Sequence, residues 1–217
     1  MARPALDDVD LVVKTMATTI VDNTEYFSQL DAVVGDGDFG YSLRSGFEVV
    51  AAEYDTFDHS SVGSVLKKIG LTISSKVGGS SGPFWGTAFL RAGITAGDKT
   101  ELATDDLIAM LRAAVEGIMA RGGASLGEKT LLDALVPAID SLEESFAEPI
   151  SDNGVAALQK AADVAVAAAA NTKGMLAMRG RAAYTGERSR DSVDAGATAI
   201  GVILQAISAA WRQKYST

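Results

Sequence analysis

Apolar residues recur at a spacing of about three to four positions through most of this chain, which is the pattern of amphipathic helices. The alternation typical of β-strands is almost missing, and no Pro- or Ser-rich linker divides the chain. Start signals such as Ser60-Ser61, Thr104 and Ser151-Asp152 precede several of the apolar runs. The pattern predicts about eight helices, at Asp8–Leu30, Ser42–Tyr54, Ser61–Ser75, Phe84–Ala96, Thr104–Arg121, Thr130–Phe146, Asp152–Asn171 and Ala195–Tyr215.

Helices joined by short connections predict an all-α fold, an up-and-down antiparallel bundle or barrel. A length of 217 residues predicts one domain spanning residues 1–217. In this arrangement every second connection lies at the same end. The connections of one end are rich in Gly, Ser, Asp, Lys and Arg, whereas those of the other end are plainer turns. We therefore expect the ligand site at the end formed by Asp31–Tyr41, Lys76–Pro83, Gly122–Lys129 and Thr172–Asp194.

Composition and charge narrow the classes of function open to this chain. The formal net charge of −9 disfavours a nucleic-acid partner, which requires a basic face. Cysteine is absent and His59 is the single histidine, so zinc chemistry and Ser-His-Asp hydrolysis are both disfavoured. The N-terminus lacks the apolar stretch of a signal peptide, and the apolar segment Ala195–Trp211 is short for a membrane span. These features predict a cytoplasmic protein without a membrane partner.

The segment Asp31–Gly40 carries three carboxylates, those of Asp31, Asp36 and Asp38, with glycines around the last two. Carboxylate oxygens are the hard ligands that Mg²⁺ and Ca²⁺ require. The glycines allow a sharp turn and let an anion approach the backbone N–H groups. The segment predicts a site for metal ions and the phosphates that they bridge. The alternative is an acidic turn with Asp38 as a helix N-cap. A structural calcium loop is disfavoured because the EF-hand spacing and its closing Glu are missing.

Two further connections have phosphate-binding character. Lys76–Pro83 is rich in Gly and Ser and leads into a helix, whose free N–H groups and dipole attract phosphate. It could instead be a flexible linker, although Pro83 favours a defined helix start. Gly122–Thr130 resembles a P-loop only superficially, because Glu128 stands where that pattern requires Gly before Lys129 and no strand precedes it. A Walker-type nucleotide site is therefore excluded.

The last connection is a basic segment on an acidic chain. Arginine pairs with phosphate through its planar fork. The segment is therefore expected to contact phosphate, the alternative being an ordinary solvated loop. The positive charges are those of Lys173, Arg179, Arg181, Arg188 and Arg190.

Taken together, these segments resemble the nucleotide-binding L subunit of dihydroxyacetone kinase. The family's loops read approximately Gly-Asp-Gly-Asp-His-Gly, Gly-Gly-Ala-Ser-Gly-Pro, Gly-Asp-Lys-Thr-Met-Leu-Asp, Gly-Arg-Ala-Ser-Tyr-x-Gly-Glu-Arg and Asp-Pro-Gly-Ala-Thr. The order and spacing match over essentially the whole chain, and the coincidence of several motifs makes the resemblance specific. The matching segments are Gly35–Gly40, Gly78–Pro83, Gly127–Asp133, Gly180–Arg188 and Asp194–Thr198.

The resemblance implies an eight-helix antiparallel barrel with ADP or ATP at one end and two Mg²⁺ ions held by Asp31, Asp36 and Asp38. It implies that no catalytic side chain is needed on this chain, because transfer is metal-assisted. The nucleotide would be lined by Phe39, Gly40, Tyr41, Ser42, Ser80, Ser81, Gly127, Val136, Arg181, Asp194, Ala195 and Gly196.

The resemblance also implies partners. In the family the ketone is bound covalently by a histidine of a separate K subunit or domain, so this chain would be the phosphotransfer half of a dihydroxyacetone, or related small keto-sugar, kinase. The phosphoryl donor is either ATP that exchanges or a retained ADP recharged by a phosphohistidine protein of the sugar phosphotransferase system. The sequence leaves both open. Arg188 and Arg190 are expected to help dock the K-type partner or the phosphoryl donor.

Three departures from the family pattern bear on activity. Phe39 replaces a His, Tyr41-Ser42 replaces Thr-Asn, and Ala195 replaces a Pro. A histidine contact to phosphate and a hydrogen-bonding amide are therefore lost. Catalysis can survive these losses, because metals supply most of the charge stabilisation in phosphoryl transfer. The departures also support an alternative, a non-catalytic nucleotide-binding regulatory protein derived from this family.

Overall fold

A computed structural model describes residues 3–4, 6–79, 81–148 and 154–215. Within these residues the chain forms nine α-helices, 3₁₀ segments at Tyr54–Thr56 and at Arg181–Asp191, and one pair of two-residue strands. The second 3₁₀ segment is interrupted at Gly186, whose backbone is not helical. In chain order these are β1 (Arg3–Pro4), α1 (Leu6–Asp22), α2 (Thr24–Ala32), α3 (Phe39–Glu53), α4 (Val62–Lys76), α5 (Ser81–Ala96), β2 (Glu101–Leu102), α6 (Thr104–Gly122), α7 (Leu132–Phe146), α8 (Val155–Asn171) and α9 (Ala195–Tyr215).

The all-α prediction is confirmed, and the described residues form one α-helix more than the apolar pattern indicates. The segment predicted as one helix, Asp8–Leu30, breaks at Asn23, whose backbone lies at φ −102° and ψ 13°. Asparagine competes with helical backbone hydrogen bonds and favours helix ends, which explains the break. The new helix α2 runs on to Ala32 and thereby carries Asp31 in its last turn. The predicted start of α8 at Asp152 lies outside the described residues.

The chain groups into two compact units. Unit 1 contains the described residues of Met1–Val21 together with Ser42–Gly123. Unit 2 contains Asp22–Tyr41 and the described residues of Ala124–Thr217. That residues 1–217 act as a single domain stays a prediction.

In unit 1, helices α4, α5 and α6 pack against one another in chain order. Helices α4 and α5 meet through glycines. A Cβ atom at Gly63 would lie 2.6 Å from the carbonyl oxygen of Gly93, and one at Gly70 would lie 2.8 Å from that of Gly86. Side chains at these positions would collide with backbone, so the two helices approach more closely than larger residues allow. Ser61 caps α4 by accepting a hydrogen bond from the Ser64 N–H at 3.1 Å.

In unit 2, α7, α8 and α9 pack together, and α9 also contacts α2. Both α8 and α9 carry fully buried alanines, among them Ala161, Ala165 and Ala197. Phe27 and Leu132 are fully buried, and each such side chain contributes about 1.5–3 kcal/mol through removal from water. No single helix within the described parts of the chain has both the length and the apolar character needed to cross a membrane; only the bent pair Arg181–Asp191 and Ala195–Tyr215 meets that criterion, by length and composition.

Candidate metal and phosphate site

The end of α2 and the start of α3 bring three carboxylates together in unit 2. Asp31 lies in the last turn of α2, and Asp38 immediately precedes α3. The backbone N–H of Gly37 donates to Oδ2 of Asp31 at 2.9 Å, which folds the intervening turn back onto the helix. One carboxylate oxygen from each of Asp31, Asp36 and Asp38 lies within 4.8 Å of the other two. Three hard oxygen donors at this separation suit a divalent cation such as Mg²⁺.

The electrostatics of this cluster favour a cation. Burial raises the pKa of Asp38, and the neighbouring carboxylates of Asp36 and Asp31 raise it further, while Arg181 acts in the opposite direction. The guanidinium Nη1 of Arg181 donates to Oδ1 of Asp36 at 2.9 Å and lies 3.5 Å from Oδ1 of Asp38. The Arg181 side chain is 60% exposed, so the pair by itself contributes little to stability.

Gly40 fixes α3 against α2 next to the cluster. It is buried, and a Cβ atom there would clash with the carbonyl oxygen of Thr24 and would lie 2.9 Å from the backbone N of Ser28. Both obstacles are backbone atoms of α2, which cannot rotate away. The close approach of α3 to α2 at this point therefore requires glycine.

Two of the residues that depart from the family pattern, Phe39 and Tyr41, have structural partners in unit 2. The ring of Phe39 is half-buried with its centroid 6.3 Å from that of Phe27. Tyr41 is 52% exposed, and its hydroxyl donates to Oε2 of Glu25 at 2.5 Å. Phe39 thus supplies packing where the family has an imidazole, and Tyr41 ties α3 to α2.

The connection before α7 is held from inside by a buried carboxylate. Asp133, only 6% exposed, accepts hydrogen bonds from the backbone N–H of Gly127 at 2.5 Å and of Thr130 at 2.7 Å. Charge-assisted bonds to backbone N–H groups are among the stronger ones. Gly127 therefore sits on a rigid turn and not on a mobile loop tip.

Lys129, in the same turn, has a role that the sequence does not predict. It is 3% exposed, and its backbone lies at φ 62°, the only positive φ of a non-glycine among the described residues. Its Nζ donates to the carbonyl oxygens of Ser192 at 2.6 Å, of Met175 at 3.3 Å and of Ser189. Burial lowers the pKa of Lys129, whereas the nearby carboxylate of Asp194 raises it. The sequence signal was the lysine of the rejected P-loop pattern, but these acceptors lie far along the chain.

Three arginines of the basic segment contact different groups of the protein. Arg179 makes a two-bond ion pair with Glu128, at 2.7 and 2.8 Å, which lowers the pKa of that carboxyl. Arg190 donates to the carbonyl oxygen of Gly174 at 2.6 Å. These two side chains hold the segment in place, while Arg181 faces the aspartates.

The start of α9 is capped by Asp194. Its Oδ2 accepts from the backbone N–H of Ala197 at 2.7 Å, and its own N–H donates to Oγ1 of Thr172 at 2.8 Å. Burial of the carboxyl raises the pKa of Asp194 to about 6, although the hydrogen bond from Ala197 acts against this and the Asp133 carboxylate adds to it. Gly196 packs under Leu131, to whose Cβ a Cβ at position 196 would lie 3.2 Å away.

Unit 2 thus brings three of the four predicted connections into direct contact, through Arg181 with Asp36 and Lys129 with the basic segment. Val136 is half-buried in α7 of the same unit. The fourth connection, Lys76–Pro83, belongs to unit 1, where Oγ of Ser45 donates to the Lys76 carbonyl at 3.0 Å. The remaining predicted residues are Ser42 and Ser81, both in unit 1, and Ser80, which lies outside the described residues.

The sequence pattern of the DAK2 domain matches residues 33–209 of this chain. The chain belongs to the DAK2 domain family. Its segment of family similarity includes Asp36, Asp38 and the whole basic segment, and the resemblance seen in the loop motifs is confirmed.

Two curated members of the DAK2 family illustrate the similarity. The chain is 36% identical over 190 residues to the ADP-binding subunit DhaL of the PEP-dependent dihydroxyacetone kinase of Escherichia coli, covering 88% of this chain and 90% of that subunit. It is 36% identical over 177 residues to the ADP-binding subunit DhaL of the PTS-dependent dihydroxyacetone kinase of Lactococcus lactis, covering 82% of this chain and 83% of that subunit.

A solved DAK2-type structure agrees in fold. The dihydroxyacetone kinase of C. freundii in its native form superposes with a TM-score of 0.71 at 26% sequence identity. Its complex with AMP-PNP and Mg²⁺ gives a TM-score of 0.68. The match covers 91% of this chain and 33% of that kinase, so the chain spans about a third of the length of the C. freundii protein.

Proposed function

We propose that this chain is the ADP- or ATP-binding, Mg²⁺-dependent phosphotransfer subunit of a kinase for dihydroxyacetone or a related small keto-sugar. It passes a phosphoryl group to a ketose that is held on a separate K-type subunit. The observation that carries the proposal is the group of three carboxylates within 4.8 Å of one another, faced by Arg181. Support comes from the 36% identity to an ADP-binding subunit across 88% of the chain.

In this proposal Asp31, Asp36 and Asp38 hold the magnesium, with two ions as the expected number. When bound, the metal neutralises charge on the transferring phosphoryl group. Arg181 turns its planar fork to the nucleotide phosphates. No side chain of this chain acts as acid or base. The remaining nucleotide contacts stay as predicted, at Phe39, Gly40, Tyr41, Ser42, Ser80, Ser81, Gly127, Val136, Asp194, Ala195 and Gly196.

The phosphoryl donor distinguishes two versions of the proposal. The names of the Escherichia coli and Lactococcus lactis relatives, PEP-dependent and PTS-dependent, favour a retained ADP that a phosphohistidine protein of the phosphotransferase system recharges. The AMP-PNP complex of the C. freundii kinase favours ATP that exchanges. Mass spectrometry of gently purified protein decides, since retained ADP survives purification and exchanging ATP does not.

We propose a cytoplasmic location with no nucleic-acid or membrane partner.

A second candidate function is a non-catalytic nucleotide-binding regulator. Phe39 packs on Phe27 and the hydroxyl of Tyr41 is engaged by Glu25, so neither replaces the polar contacts of the family pattern. Phosphate transfer to dihydroxyacetone in the presence of a K-type subunit separates the two functions. A kinase subunit gives phosphorylated ketose, whereas a regulator binds nucleotide and gives none.

Metal dependence is the direct test of the site. We expect calorimetry to show tight ADP binding with Mg²⁺ and much weaker binding with EDTA, because without metal the carboxylates repel the phosphates. Asp36→Asn should weaken Mg²⁺–ADP binding by at least about tenfold, the equivalent of about 1.4 kcal/mol. The helical circular dichroism spectrum should stay nearly unchanged.

The matched control is Asp98→Asn, which removes one exposed carboxylate from unit 1. It should bind Mg²⁺–ADP like the wild type. Equal ADP affinity with Mg²⁺ and with EDTA in the wild-type protein would overturn the proposed site.

A further inference from the structure

The side chain of Lys129 is buried, and its ammonium group hydrogen-bonds to backbone carbonyl oxygens, not to a carboxylate side chain. Its ammonium group contacts the carbonyl oxygens of Met175, Ser189 and Ser192. These acceptors lie 46, 60 and 63 residues farther along the chain. The lysine therefore joins the turn before α7 to both ends of the basic segment.

The ammonium group has no donor left for a ligand. A lysine Nζ offers three N–H donors, and three carbonyl oxygens accept from this one. The lysine of a phosphate-binding loop, by contrast, must point a donor at phosphate. Any effect of Lys129 on phosphate chemistry must therefore pass through the segment that it holds.

The backbone of Lys129 is also held in an uncommon conformation. At φ 62° a lysine is disfavoured, and such residues persist only where the surroundings fix them. The charged groups that influence it are Asp194 and Asp191, which favour the cation, and Arg190, which opposes it. Burial, three carbonyl acceptors and a strained backbone together indicate a residue whose position is tightly specified.

The segment that Lys129 holds carries Arg181. The held carbonyls stand on both sides of it in sequence, and Ser189, which is fully buried, adds a bond from the Ala177 N–H to its Oγ at 3.0 Å. Arg181 itself is 60% exposed, and an exposed ion pair alone does little to fix a side chain. The orientation of the Arg181 side chain toward Asp36 and Asp38 therefore depends on how the backbone around it is held.

We propose that Lys129 is a positioning residue for Arg181: by holding the carbonyls of Met175, Ser189 and Ser192, it keeps Arg181 directed at the aspartate cluster where nucleotide phosphate binds. This inference rests on the proposed function, because it assumes that Mg²⁺–ADP binds at Asp31, Asp36 and Asp38. It assigns to Lys129 a role in ligand affinity without any contact with the ligand.

A double-mutant cycle tests the inference. Lys129→Asn removes the ammonium group and tolerates positive φ. Its effect on the Kd for Mg²⁺–ADP is measured by calorimetry in the wild-type and in the Arg181→Ala background. We expect a loss of about tenfold in the first and less than about twofold in the second, since residues that act through one another are not additive. Lys129→Arg, which keeps the cation, should restore part of the loss.

The control is Lys173→Asn, which removes an exposed positive charge from the basic segment that Lys129 holds. It should change affinity in neither background. If Lys129→Asn loses its helical circular dichroism signal, Lys129→Gly, which accepts φ 62° without strain, replaces it in the same cycle.

The outcomes separate this inference from the proposed function. If wild-type protein fails to bind Mg²⁺–ADP, the proposed function fails. If the wild type binds and a folded Lys129 variant binds equally well, only the positioning role is overturned. Equal losses in the two backgrounds would likewise overturn it, since Lys129 would then act independently of Arg181.

Discussion

Asp194 makes the stability of this fold depend on pH in an unusual direction. Its carboxyl caps α9, and burial raises its pKa to about 6 from an ordinary value of 3.8. Between these two pH values the folded protein holds a proton that the unfolded chain releases. The contribution of Asp194 to the free energy of unfolding therefore falls as pH rises from about 4 to about 6 and levels off above about 7.

The magnitude follows from the shift. A difference of about two pKa units corresponds to about 3 kcal/mol, at about 1.4 kcal/mol per unit. Roughly half of this change falls between about pH 5 and about pH 8, because the unfolded carboxyl is already ionised at pH 5. Asp194→Asn removes the ionisable group but keeps an oxygen that can accept from the Ala197 N–H. We expect the variant to gain about 1.5 kcal/mol relative to the wild type over that pH range.

Urea unfolding followed by the helical circular dichroism signal, in nucleotide-free and metal-free buffer, measures this difference. The pH dependence is the readout, so a constant offset from exchanging carboxylate for amide does not affect the conclusion. Asp98→Asn, at an exposed position, should show no pH-dependent difference from the wild type. A difference between Asp194→Asn and the wild type that stays constant from pH 5 to pH 8 would refute the reasoning.

Two further outcomes follow from the site geometry. In urea titrations, Gly40→Ala should lower the free energy of unfolding by about 1–3 kcal/mol, because the added Cβ meets the backbone of α2. The control Gly78→Ala should be nearly neutral, since its Cβ would lie 3.6 Å from the nearest neighbouring atom. Hydrogen exchange should show that Mg²⁺–ADP protects Asp31–Tyr41 and Thr172–Asp194, and protection confined to the plainer connections would contradict the placement of the ligand.

Local signals in the sequence account for most of the fold. The 3.6-residue period and the cap residues predict the helices well, because both act within one or two turns. Ser61 caps α4 as the pattern indicates, and α6 starts at the predicted Thr104. The sequence does not predict the break at Asn23, because the apolar period continues across it on both sides. A single polar residue there is weak evidence for a new helix until tertiary packing is known.

The candidate site was predictable where its residues are close in sequence. Asp31, Asp36 and Asp38 lie within one turn and its flanking helix ends, so their spacing alone indicated a cluster. Charge and family resemblance indicate Arg181, whose contact with Asp36 spans 145 residues. No local signal distinguishes it from Arg190, which instead holds the carbonyl of Gly174. Which arginine faces a site is decided by long-range packing.

The glycine contact between α4 and α5 restricts how unit 1 can move. The glycines recur seven residues apart on each helix, at positions 63 and 70 and at positions 86 and 93, and they meet in opposite order. A slide of one helix past the other by a turn, about 5.4 Å, would bring larger side chains against bare backbone. Shear between α4 and α5 is therefore blocked, and the connection Lys76–Pro83 joins two helices locked in register. We expect any rearrangement of this unit to be hinge-like, with the bend at helix ends.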